Sequence, residues 1–222
     1  MIKIAIDGLS GSGKGTIAQG LAKRFNLKHL DTGAIFRTMG VALWKSNILE
    51  PNEKDIEQIL SSADIKISFN ENIQQMFLNG EDVTNLLRTE VINNLVSKVS
   101  AFAFAREKYL KIVKDFANNN NCVIDGRDIT SVVLPDADVK FYVTADDETR
   151  AKRRFLENQE KGVNTPLDKV LSNLLDRDFR DKNRAVAPLV LVEDAIVIDT
   201  TNLSIEETIN YCSALVSEKI KT

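Results

Sequence analysis

The sequence predicts an α/β fold: a parallel sheet of about five strands, helices on both of its faces, and one inserted segment. Three observations carry this. Short apolar runs alternate with longer stretches of helical period. A glycine-rich turn joins the first apolar run to the first helical stretch. Between residues 38 and 97 the alternation stops, and two runs of strand period take its place.

The apolar runs Ile2–Ile6, Lys28–Leu30, Cys122–Ile124, Val139–Val143 and Ala195–Ile198 read as strands, with Lys28–Leu30 the weakest. A helix runs from Lys14 to about Phe25, with Ile17, Leu21, Ala22 and Phe25 on one face. A long helix is expected from about Thr89 to Ala117, and another from near Asp146 to just before Gly162. Thr165-Pro166 reads as an N-cap followed by proline at the first helical position. Ser204 to Glu207 has the spacing of a capping box and opens the last helix. The Asn118 to Asn121 tract is a surface turn. Within the insertion, Ile65–Phe69 and Ile73–Leu78 form a hairpin around Asn70-Glu71-Asn72, either a decoration or part of a substrate-covering subdomain.

Composition narrows the chemistry. The 222 residues carry 29 basic and 32 acidic side chains, net −3, which argues against a general nucleic-acid binder. No apolar run reaches the roughly 18 residues of a spanning helix. The opening MIKIAIDG is too short for a secretory signal. Cys122 and Cys212 are the only cysteines and His29 the only histidine, so a disulfide framework, a Cys/His zinc site and a histidine triad are excluded. A soluble, cytoplasmic, monomeric protein is expected, with chemistry drawn from Asp, Glu, Lys, Arg, Ser and backbone amides.

Gly8-Leu9-Ser10-Gly11-Ser12-Gly13-Lys14-Gly15-Thr16 lies where the first strand passes into the first helix. Gly8, Gly13 and Lys14 have the G-x-x-x-x-G-K spacing of a phosphate loop. Glycine lets the loop amides turn inward around a phosphate, and the helix N-terminus adds roughly half a positive charge there. Lys14 supplies a mobile cation for the outer phosphates. Gly15 stands where Ser or Thr is usual, which leaves Thr16 as the hydroxyl for a Mg²⁺ ion. A glycine-rich turn with a chance lysine would not explain the strand-to-helix position. The ligand implied is a nucleoside triphosphate.

Two further segments end strands: Asp31 to Arg37, and Asp125-Gly126-Arg127-Asp128. In an open parallel sheet, ligands gather at the carboxyl ends of the strands. Asp125 is either the acidic residue near a phosphate-loop metal or a turn former before Gly126. On the helix after Pro166, Leu167, Val170, Leu171, Leu174 and Leu175 make the expected core stripe, while Arg177, Arg180, Asp181 and Arg184 share one face. That face is either solvated or grips an anion. Arg150, Lys152, Arg153 and Arg154 form either a surface helix or a lid closing over phosphates. Phosphoryl transfer suits this composition, because the migrating group needs positioning and charge neutralisation more than a strong base. Arginine's planar fork grips phosphate oxygens in pairs.

These residues together resemble the bacterial cytidylate kinases, within the nucleoside monophosphate kinases. The loop Gly8 to Thr16, the segment Asp31 to Arg37, Leu78 to Thr84, Asp125 to Asp128, and Arg177 through Leu189 carry the resemblance, which spans nearly the whole chain. Leu9 stands where that loop often has proline, and Phe36 where tyrosine is common.

The resemblance implies a core at 1–37, 98–149 and 166–222, a nucleotide-monophosphate-binding insertion at 38–97 and a helical lid at 150–165. It implies transfer of the γ-phosphoryl of ATP to CMP or dCMP with Mg²⁺, the metal held mainly by ATP phosphates and water. Lys14, Arg127 and Arg184 would be catalytic. Arg153 and Arg154 would join the loop on the ATP side. Thr32, Ser97, Arg106 and Asp128 would line the cytidine pocket, with Phe36 and Asp125 on the same side. Arg37, Arg127 and Arg184 would hold the acceptor phosphate, and Arg177 and Asp181 the sugar hydroxyls.

Ser97 and Arg106 lie nine residues apart, so on one straight helix they could not share a face. The competing readings are a kinase for UMP, AMP, shikimate or a nucleoside, a nucleotide-controlled switch, and a nucleic-acid module. No N-K-x-D motif supports the switch, and no basic surface supports the last.

Overall fold

The computed structural model describes residues 1–160 and 162–220. In chain order the elements are β1 (Lys3–Gly8), α1 (Lys14–Phe25), β2 (Lys28–Asp31), α2 (Gly33–Lys45), α3 (Glu53–Ser62), β3 (Ile65–Asn70), β4 (Ile73–Leu78), β5 (Glu81–Asp82), α4 (Glu90–Val99), α5 (Ala103–Asn118), β6 (Cys122–Gly126), β7 (Val139–Thr144), α6 (Asp147–Glu160), α7 (Leu167–Asn183), β8 (Ile196–Asp199) and α8 (Ile205–Ile220). They divide into two compact units, Met1–Lys28 with Asn120–Thr222, and His29–Asn119.

The five-stranded sheet is ordered β2-β6-β1-β7-β8; β6, β1, β7 and β8 lie in the first unit, and β2 begins at Lys28, where the chain leaves it. β1 lies between parallel neighbours, with Ile6 opposite Asp125 on β6 and Gly8 opposite Val143 on β7. A central strand is covered on both faces, which is why Ile4, Ala5 and Ile6 are all fully buried. Ile4, Ile6, Phe141 and Val143 pack with Ile17, Leu21 and Val216 into one apolar core. Asn26 ends α1 in the left-handed region, φ 52°, and Leu27 N–H closes the turn on the Ala22 carbonyl.

The sequence-predicted strands recur, Ile73–Leu78 with the same ends and the others with an end displaced by one or two residues. The helix expected at Thr165-Pro166 starts at Leu167, because Pro166 is extended (ψ 147°) and occupies the cap itself. The expected core stripe of α7 is only partly buried: Val170 and Leu174 pack with Ala151 of α6, whereas Leu167 and Leu175 are exposed. At α8 the capping box is formed, with Glu207 N–H donating to Ser204 Oγ and Ser204 N–H to Glu207 Oε2.

The second unit contains a three-stranded antiparallel sheet, β3-β4-β5. Glu71 and Asn72 turn the β3–β4 hairpin with φ of 49° and 67°, the two positive values of a type I′ turn. Two helices there were not expected. α2 is buried from Ala34 to Phe36 and from Thr38 to Leu43, and so shows no polar face. α3 opens with a capping box between Asn52 and Asp55. The long helix expected over residues 89–117 is two helices. α4 stops at Val99, and Phe102 (φ −83°, ψ 136°) is extended before α5 begins. No described helix is long and apolar enough to cross a membrane.

Candidate active site

The first unit assembles most of the expected site. β1 enters the loop through Gly8, whose φ of 151° and close approach to β7 both demand glycine: a Cβ would lie 2.0 Å from the Val143 carbonyl oxygen. The Leu9 carbonyl turns inward and accepts from Ser12 N–H (3.4 Å), Ser12 Oγ (2.9 Å) and Lys14 Nζ (3.2 Å). Gly13, φ 87°, brings the chain into α1 without a side-chain cap, so the first amides of the helix face the loop without intrahelical partners.

Lys14 as a residue is half-buried, with its amine turned onto the Leu9 carbonyl. Burial, reinforced by the Arg127 guanidinium and only partly offset by Asp125, lowers its pKa to about 7. The amine therefore sits where a phosphate would restore its charge.

The arginines expected around this cation are each seated against a carboxylate. Arg127 Nε donates to Asp181 Oδ2 at 2.7 Å, and Arg177 Nε is 4.0 Å from the same oxygen. Arg184 Nη2 lies 3.3 Å from Asp128 Oδ1, and its Nε donates to the Ala187 carbonyl at 2.5 Å. Burial pushes the Asp181 carboxyl up, but the guanidiniums of Arg127 and Arg177 outweigh it and hold the group below the ordinary carboxylate range. Asp125 lies at the end of β6, close enough that a Cβ on Gly15 would meet its Oδ2 at 3.9 Å.

Beside the loop is a cleft of about 300 Å³ whose lining includes Gly11, Gly13, Thr16, Arg153, Arg154, Leu203 and Ile205. Arg153 is pinned within it, donating to Thr200 Oγ1 at 2.8 Å and to the Thr200 carbonyl at 2.7 Å, while Thr200 Oγ1 donates to the Ser12 carbonyl at 3.0 Å. Arg154 pairs with Glu157 at 2.8 Å.

The second unit carries the remaining expected residues. Arg37 is 3.6 Å from Asp31, and Thr32 is buried at the start of α2. Phe36 stacks on Tyr109 with ring centroids 4.5 Å apart, and the Arg106 guanidinium carbon is 5.8 Å from both rings. The missing hydroxyl at Phe36 thus leaves an aromatic shelf beside Arg106. Ser97, on α4, is exposed. The break before α5 removes the single straight helix on which Ser97 and Arg106 could not share a face.

Sequence reasoning passed over Asp7. Its carboxylate accepts from Ile129 N–H (2.9 Å), Thr130 N–H (2.7 Å) and Thr130 Oγ1 (2.7 Å). These groups open a short π-helical turn, Ile129–Val133, that directly follows Arg127 and Asp128. Asp7 therefore fastens the end of β1 to the segment that carries both. Burial raises its pKa despite those three donors. Gln74 was missed too: its amide accepts from Asp31 N–H (2.8 Å) and donates to the Asp31 carbonyl (3.3 Å), tying β4 to the residue before Thr32. Arg150 looked from the sequence like a member of the lid cluster, but it is 1% exposed. The one available signal for Asp7 was an acid at the end of an otherwise apolar strand.

The sequence profile of the cytidylate kinases, described as "Cytidylate kinase", matches residues 4–218. The chain belongs to the cytidylate kinase family. It is 45% identical over 208 residues to the cytidylate kinase of Caldicellulosiruptor saccharolyticus, covering 94% of this chain and 92% of that one. The cytidylate kinase of Thermosipho melanesiensis is 44% identical over 219 residues, covering 99% and 98%, and that of Mannheimia succiniciproducens is 40% identical over 220, covering 99% and 98%. In fold alone the chain is similar to an uncharacterized protein from Eubacterium ventriosum, with a TM-score of 0.57 at 14% identity, covering 98% of this chain and 99% of that one.

Membership in this family makes the chain a kinase and gives the lowered Lys14 pKa a consequence. At pH 8 Lys14 is largely neutral in the ligand-free protein, because its pKa is about 7. Polyphosphate on the loop raises that pKa, so ATP binding at pH 8 takes up close to one proton at this site. At pH 6 the amine is already charged, and the uptake disappears. Titration calorimetry in buffers of differing ionisation enthalpy measures this, and absence of uptake at pH 8 contradicts it.

Proposed function

We propose that the chain transfers the γ-phosphoryl group of ATP to CMP or dCMP, giving ADP and CDP or dCDP. Family membership over residues 4–218 is the observation that carries this reading. The geometry supports it: a phosphate loop with a cation poised to charge, the Arg127 and Arg177 guanidiniums acting on that cation, and two cysteines with unreactive thiols. Cys122 and Cys212 are buried with their thiol pKa values pushed up by desolvation, Cys122 to about 11 and Cys212 to about 12.

On this reading the loop and Lys14 take the β- and γ-phosphates, and the cleft with Arg153 and Arg154 takes the rest of ATP. With Arg150 itself buried against the loop, the lid expected at 150–165 is left to the residues after it, and 38–97 serve as the acceptor-binding segment. Arg37, Arg127 and Arg184 hold the acceptor phosphate, and Arg177 and Asp181 meet the sugar. The carboxylates now facing Arg127 and Arg184 keep these cations from repelling one another before substrate arrives. Phosphate then replaces carboxylate, so each guanidinium passes from one anion to another.

A Mg²⁺ ion fits the donor set. Among the described residues no cluster of three or more acidic, histidine or cysteine side chains could hold a metal by itself. Exposed Thr16 and the carboxylate of Asp125 offer hard oxygens beside the loop, and ATP phosphates and water would complete the shell. When bound, the metal neutralises charge on the β- and γ-oxygens.

Cytosine presents an amino donor at N4, which a carboxylate such as Asp128 accepts, while Arg106 and Ser97 donate to N3 and O2. Uracil places an oxygen at the N4 position, facing the carboxylate, and leaves buried polar groups unpaired. An ADP-release assay with CMP, dCMP, UMP and AMP therefore gives a much higher kcat/KM for the two cytidylates; similar values for UMP and CMP overturn the assignment. Arg184→Ala is expected to lower kcat by about 10³-fold or more, since it removes a guanidinium that meets transition-state charge. A near-normal kcat in a variant with unchanged circular dichroism removes Arg184 from that role.

A further inference from the structure

We infer that the buried Arg150–Asp178 ion pair is a positioning device for phosphate binding: it fixes two successive loop peptides and so aims the Gly11 N–H at the ligand. The identity of that ligand rests on the phosphoryl-transfer reading.

A trans peptide sends its carbonyl and the following N–H in opposite directions. The Leu9 carbonyl points into the loop, toward Lys14 and Ser12. The Ser10 N–H must then point out, and Asp178 Oδ1 accepts it at 3.2 Å. The next peptide is reversed. The Ser10 carbonyl faces out and accepts from Arg150 Nη1 at 2.9 Å, so the Gly11 N–H faces in. Gly11, the next residue, has a φ of 76°, and its Cα packs so tightly on α6 that a Cβ would lie 3.1 Å from the Arg150 carbonyl oxygen.

The pair is thus a clasp with one jaw on each side of Ser10. Arg150 Nη1 also donates to Asp178, Nη2 to Asp147, and Nε to the Ala145 carbonyl at 3.2 Å. Arg150 is 1% exposed and Asp178 5%. For folding alone, apolar residues of similar volume often serve as well as a buried ion pair. They could not hold both the N–H and the carbonyl of one residue. The clasp also joins α6, which carries Arg153 and Arg154, to α7, which carries Arg177 and Asp181 and ends at Arg184. Neither residue touches substrate in this account, so both are positioning residues.

The test separates packing from peptide orientation. The double variant Arg150→Met/Asp178→Leu removes both charges and strands neither. Its melting temperature should fall by only a few degrees, the loss expected when the Ser10 and Ala145 backbone groups give up their partners, while the Kd for ATP, measured by calorimetry without acceptor, rises about 10-fold or more and kcat falls by a similar or larger factor. A folded double variant with unaltered ATP affinity overturns the inference. Asp178→Asn, nearly isosteric, decides the matter if the double variant does not fold. It should raise the KM for ATP several-fold more than the KM for CMP, and an equal change in both, or none in either, overturns the inference. The ATP affinity is read without any acceptor. If the unaltered protein fails to phosphorylate CMP, the proposed reaction falls while the role of the clasp is still judged.

Discussion

The orientation of a few peptide groups between Gly8 and Lys14 governs what the rest of this structure can do. A phosphate chain in water is surrounded by mobile dipoles. A protein competes only if its own dipoles already point the right way, because reorganising them would use up the binding energy. Here two loop carbonyls that would otherwise face a phosphate, those of Ser10 and Ser12, are drawn elsewhere, and the inward Leu9 carbonyl is held by Ser12 and Lys14. Arg150 takes the Ser10 carbonyl and Thr200 takes that of Ser12. The Leu9 N–H goes to Val143 on β7 and the Ser10 N–H to Asp178 on α7. Strands and helices far apart in sequence converge on a loop of nine residues, and the parallel sheet is the frame that brings them there.

Charge is handled by the same logic. Arg127, Arg177 and Arg184 would repel one another and Lys14 if left alone. Asp181 and Asp128 hold the guanidiniums in place, and Lys14 lowers the local charge by giving up its proton near neutral pH. Each group is left in a state that an incoming phosphate improves. This favours anionic ligands without requiring a positive protein, which explains how a chain of net charge −3 can present so cationic a site.

What could be read from the sequence followed from how local each signal is. β1, the loop and α1 were legible because an apolar run, a glycine spacing and a helical stripe abut one another. The capping box at Ser204 and the β3–β4 hairpin were legible for the same reason. α2 was not, since burial on nearly every side erases the polar face that marks a helix. The break between α4 and α5 was hidden because Ser100-Ala101-Phe102 has a composition that a helix tolerates. Among functional residues, the loop and the arginines announced themselves by type and spacing. Asp7, Arg150 and Asp178 did not. A charged residue in a charged run looks solvated, and its burial depends on a partner such as Asp178, 28 positions from Arg150.

A crystal structure with ADP on the loop would test most directly whether the peptides are aimed in advance. The account predicts Gly11 and Gly13 N–H groups on phosphate oxygens, Lys14 Nζ moved from the Leu9 carbonyl to a phosphate, and the Ser10 N–H still on Asp178. A Ser10 peptide reversed, with its N–H on the nucleotide and the Arg150–Asp178 pair parted, would contradict it.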